Sequence, residues 1–103
     1  MRGLIDRKRR SVLRMNAQQL VAHNIRKLRV GRGLSQESLA VDASIDRTYV
    51  SRLERGLENP TVVVLERLAA ALGSEIADFF VKPKPGEKAA PPLPGGRKPR
   101  AAP

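Results

Sequence analysis

Five hydrogen-bonding side chains fall within six consecutive positions, Arg47, Thr48, Tyr49, Ser51 and Arg52, interrupted only by Val50. Their types suit one kind of chemistry. A guanidinium can donate two parallel hydrogen bonds to a guanine O6/N7 pair, and Thr or Ser hydroxyls bond several base edges or touch a thymine methyl. A helix face that meets only water more often carries Glu and Lys pairs. The rest of the chain offers no competing chemistry. Its single His, His23, reads as a surface residue, and the absence of Cys excludes disulfides and Cys-based metal sites. No Gly-rich phosphate loop, metal-ligand spacing or nucleophile–base pairing occurs. An enzyme, a cofactor and a small-molecule ligand are therefore not expected.

Presenting those side chains requires a helical body. Between residues 16 and 81 the apolar spacing is helical and strand-like alternation is missing. A first helix is predicted over about 17–32, with Leu20, Val21, Ile25 and Leu28 on one stripe and Gly31 and Gly33 stopping it. Ser35 offers an N-cap oxygen to a second helix reaching about 43, with Leu39, Ala40 and Ala43 inward. Asp46 caps a third, over 47–55, with Val50 and Leu53 buried, Ile45 in the preceding turn and Gly56 as its stop. Thr61 caps a fourth, carrying Leu65, Leu68, Ala69 and Leu72 and closed by Gly73, and Ser74 opens a short fifth with Ile76, Phe79 and Phe80. The expected fold is all-α, with two short helices joined by a tight turn at 36–55, the geometry of a helix-turn-helix.

Charge separates the chain into three parts. The net charge of +10 comes from a basic N-terminal extension, 1–15, and a Pro/Gly/Lys-rich tail, 82–103, each with six basic residues and one acidic. The domain between them, 16–81, carries eight of each sign and is formally neutral. The tails favour polyanions but specify nothing. Seven of the eight prolines lie from Pro83 onward, so the C-terminal tail is expected to be disordered or PPII-like. In the N-terminal part, the run from Arg7 to Arg10 reads equally as a DNA-contacting arm or a solvated tail, and Met15 stands as an alternative start. Without a membrane-length apolar run or the apolar centre of a secretory signal, a cytoplasmic protein is the expectation.

The stretch 24–80 resembles the Cro/phage-repressor (XRE) helix-turn-helix family. LSQESLA in the second helix, DRTYVSRLERG in the third, ENPT after it and LERLAAALG in the fourth match in order and spacing. The resemblance implies a five-helix lambda-repressor-like DNA-binding domain. Residue by residue, it implies base reading by Arg47, Thr48, Ser51 and Arg52, and backbone contacts from Gln36, Tyr49 and Asn59. Arg29 and Glu54 match a buried pair that orients the third helix. One position departs: the family usually has Gly where this chain has Ser44, which costs roughly 1 kcal/mol if that residue adopts positive φ.

Adjacent Phe79 and Phe80 cannot both point inward. With Ile76 and Val81 they suggest an isologous dimer contact. The combined expectation is a homodimeric regulator, more a repressor than an activator, placing two third helices in successive major grooves of a pseudo-palindromic double-stranded operator, ~34 Å apart. Two rivals use the same domain differently: a protein-interaction adaptor or coactivator, and the antitoxin of a toxin–antitoxin pair.

Overall fold

A computed structural model describes residues 15–93. The expectations placed on 1–14 and on the end of the tail lie outside the described residues. Four α-helices follow one another, α1 (Ala17–Gly31), α2 (Gln36–Ala43), α3 (Arg47–Glu54) and α4 (Val62–Leu72), and a 3-10 helix (Ile76–Phe80) closes the body. The fold is all-α.

Each α-helix starts at a side-chain cap that supplies an acceptor for an otherwise unpaired backbone N–H. Asn16 accepts from Gln19 N and the Gln19 side chain accepts from Asn16 N, a reciprocal capping box on α1. Ser35, Asp46 and Thr61 accept from Ser38, Thr48 and Val64 in the same way. The four helix ends also share one device. A residue with positive φ lets the next N–H reach back to the last turn, pairing Leu34 with Arg29 O, Ile45 with Ala40 O, Leu57 with Arg52 O and Ser74 with Ala69 O. The left-handed residue is glycine after α1, α3 and α4, at Gly33, Gly56 and Gly73, but Ser44 (φ 58°) after α2. Gly31, predicted to help stop α1, lies inside it; Gly33 makes the stop.

The core is built from the inward stripes of all five elements. Ile25, Leu39, Val50, Leu53, Leu68, Leu72 and Phe79 are its largest fully buried side chains. Each such apolar burial contributes about 1.5–3 kcal/mol relative to exposure. Phe79 belongs to this core, which removes it from the exposed dimer surface expected from sequence. Phe80 remains 46% exposed and Val81 57%, while Ile76 packs partly against the core. The two phenylalanines divide because adjacent residues of a helical turn face different sides.

Two details of the chain's end differ from expectation. Ser74 does not cap the last helix: its hydroxyl is buried without a partner among the described residues, and Glu75 takes the cap position with its N–H bonded to the Asp78 carboxylate. The segment from 82, expected to be disordered or PPII-like, carries no helix or strand as far as 93 but meets α1 through Glu87 and Ala90. Arg26 donates twice to Ala90 O (2.8 and 3.1 Å), and Lys27 and His23 both meet Glu87. His23 is correspondingly not a free surface residue, since this strap leaves its side chain 9% exposed.

Candidate nucleic-acid interface

The helix pair α2–α3 sets the geometry of the expected site. Ser44 and Ile45 make the turn between them, and Ile45 tucks partly into the core. Val50 and Leu53 anchor α3 from one side, so Arg47 and Thr48 stand exposed at its N-terminal end, with Ser51 half-buried one turn later. Among the described residues, neither the Arg47 guanidinium nor the Thr48 hydroxyl has a protein partner.

A buried ion pair holds α3 in place. Arg29 Nε and Nη2 donate to the two Glu54 oxygens at 2.6 and 2.9 Å, a bidentate fork, while Nη1 donates to Leu34 O at 2.7 Å. Their side chains are 6% and 2% exposed. Fork geometry and full hydrogen bonding are what let two charges share a dry site. Gln36, at the first position of α2, donates its amide to Glu54 Oε1 at 3.0 Å. One carboxylate on α3 is thus gripped from α1 and α2 together.

The remaining expected contacts are more constrained than a bare helix face. Tyr49 is half-buried and packs against the core. Its burial and then the Glu58 charge push its hydroxyl above the ordinary phenol range. Arg52 donates through Nε to Glu58 Oε2 at 2.7 Å, and its Nη2 lies 3.4 Å from Leu57 O. Asn59 is exposed in the loop after α3. That loop is itself tied to α1, where the Gln18 amide donates to Glu58 O at 2.8 Å. Glu58 was missed by sequence reasoning: it lies six positions beyond Arg52 across a turn, where helical spacing gives no signal.

Among the described residues, no cluster of three metal-ligand side chains occurs, and no helix is long and apolar enough to cross a membrane.

Comparison with known proteins bears on the family and the fold. The sequence model of the helix-turn-helix family matches residues 25–79. An uncharacterised HTH-type transcriptional regulator of Sinorhizobium fredii is 44% identical over 59 residues, 57% of this chain and 77% of that protein. The restriction–modification controller protein C.AhdI of Aeromonas hydrophila superposes with a TM-score of 0.60 at 40% identity, over 61% of this chain and 96% of that one. The controller protein C.Esp1396I, solved as a tetramer on its natural 35 base-pair operator, gives 0.59 at 35% identity, over 64% of this chain and 87% of that one.

Proposed function

The chain belongs to the helix-turn-helix family, and from that membership we propose that it is a sequence-specific transcriptional regulator, a repressor, of promoters that carry a pseudo-palindromic operator. It binds double-stranded DNA as a homodimer, with α3 of each protomer in a major groove and the two half-sites related by the protein's two-fold axis. The observation that carries this reading is the pair Arg47 and Thr48, exposed and without a partner among the described residues, at the tip of a helix aimed by the Arg29–Glu54 fork.

In this reading Arg47, Thr48, Ser51 and Arg52 choose the bases. Gln36, Tyr49 and Asn59 fix register on the phosphate backbone, which positions without specifying. Phe80 and Val81, with Ile76 at their edge, form the dimer contact, and the basic termini add salt-dependent affinity for any sequence. The assembly of the similar controller protein on operator DNA supports this arrangement. Bound operator blocks polymerase, so repression is the expected outcome. The protein acts in the bacterial cytoplasm at the nucleoid, without a cofactor or catalytic turnover.

The test is selection from random duplexes at a stated salt concentration, followed by sedimentation of the complex. A pseudo-palindromic consensus bound by two or more protomers is expected. Enrichment of no sequence over background would overturn the reading.

A further inference from the structure

The arginines of α3 are not equivalent. Arg47 is exposed and unpartnered among the described residues, whereas Arg52 is held by the loop that follows its own helix. Glu58 accepts from Arg52 Nε at 2.7 Å, and Leu57 O lies 3.4 Å from Nη2. The Glu58 backbone is pinned in turn, since its carbonyl accepts from Gln18 on α1 at 2.8 Å. The carboxylate is thus a fixed post, about one-quarter exposed, beside a guanidinium that is 44% exposed.

From this geometry we infer that Glu58 is a positioning residue for base recognition, which turns Arg52 from a backbone-seeking cation into a reader of one base pair. The inference rests on the DNA-binding function proposed above. A guanidinium carries five N–H donors in a rigid fork. With Nε committed to Glu58 and one Nη2 hydrogen directed at Leu57 O, the Nη1/Nη2 end still offers two donors side by side. Two parallel donors match the O6/N7 edge of guanine. Glu58 also cancels most of the attraction that Arg52 would have for phosphates, because the pair is neutral as a unit. The side chain is ordered before DNA arrives, so less rotamer freedom is lost on binding. Arg52 without Glu58 would be a flexible point of positive charge, free to swing to the nearest phosphate.

The experiment compares the wild-type chain with Glu58→Ala, Glu58→Gln, Arg52→Ala and the double variant Arg52→Ala/Glu58→Ala. Each is used in selection from random duplexes and in titrations of operator and random DNA over a salt series. Glu58→Ala is expected to lose about tenfold of the preference at one base pair per half-site, the scale of one good bidentate contact. Its affinity for random DNA should hold or rise, with a salt slope steeper by about one phosphate contact. Glu58→Gln should keep more of the preference, because its amide oxygen still accepts from Nε. In the Arg52→Ala background, removing Glu58 should change the consensus no further. Thermal melts of every variant separate a folding defect from a recognition defect.

An unchanged consensus in Glu58→Ala, or equal loss on operator and random DNA, would overturn the inference. A further change of consensus in the double variant would show that Glu58 acts without Arg52 and would overturn it as well. If the wild-type chain selects no consensus, it is the DNA-binding reading that fails.

Discussion

Two carboxylates hold side chains of α1, and they do so in opposite ways. Glu54 sits at the centre of the body, 2% exposed, and receives a bidentate fork from Arg29 together with the Gln36 amide. Glu87 lies on the strap, 19% exposed, and receives Lys27, His23 and the Lys84 N–H at 2.9–3.1 Å. Both lists of contacts are full, so counting bonds would rank them alike. The difference is the alternative open to each partner. Water can replace the strap's contacts, whereas nothing replaces Glu54 for a guanidinium buried against Leu34 O. The buried pair therefore fixes α3 against α1 and α2, beside the core anchors Val50 and Leu53, and the strap adjusts the outer face of α1.

The sharpest way to break this contrast is Glu54→Ala. It leaves Arg29 charged and buried, and chemical denaturation should show a loss of about 3–5 kcal/mol. A loss below about 1 kcal/mol would mean that water reaches Arg29 and that the two carboxylates are alike. Arg47→Ala sharpens the comparison from outside, because Arg47 supports nothing within the described structure. Stability should hold, while operator affinity falls by ~1–3 kcal/mol with relaxed preference at one base pair. Equal losses on operator and random DNA would remove Arg47 from the base readers. Ser44→Gly relieves the left-handed serine between α2 and α3 and should stabilise the fold by up to about 1 kcal/mol in thermal melts. A destabilised variant would show that Ser44 is not strained there.

The smallest effect belongs to the strap. Glu87→Gln should lower the melting midpoint slightly at low salt and not at all at high salt, with the DNA consensus intact. The Lys27 ammonium, then the Lys84 N–H and His23, hold the Glu87 carboxyl down at about 2, below its ordinary 4.5. A depressed carboxyl contributes stability that is complete above the unfolded value and lost as pH falls through the folded one. The strap contacts should thus persist at neutral pH and disappear between pH 4.5 and about 2. Carboxyl NMR shifts of Glu87 would follow this directly, and titration near the ordinary value would refute it.

Much of the fold was legible because helix ends obey local chemistry. Asp46 and Thr61 announce their helices, and the left-handed stops follow from glycine, or from serine where the family resemblance marks a missing glycine. The exposed face of α3 followed from subtracting Val50 and Leu53. The Arg29–Glu54 pairing did not come from spacing, since 25 residues separate the two; the family resemblance supplied it. What stayed hidden shares a physical reason. The strap, the Arg52–Glu58 pair and the burial of His23 depend on side chains meeting backbone carbonyls or loop residues across the fold, and such contacts have no period. Proline-rich composition showed correctly that 82–93 forms no helix, but could not show where an irregular segment would lie down.

The gathering of α1, α2 and α3 on one carboxylate has a further consequence, for how the molecule opens. Glu54 can release α3 only by also releasing Arg29 and Gln36, and Arg29 in turn holds the loop carbonyl of Leu34. The C-terminal end of α3 therefore does not open by itself, and the amides there should exchange with solvent together with those of its two neighbours as one cooperative unit. Protease attack on α3 would then report the opening of that whole unit. Damage anywhere in the three helices would be exposed to quality control as a single event rather than as a loosened recognition surface.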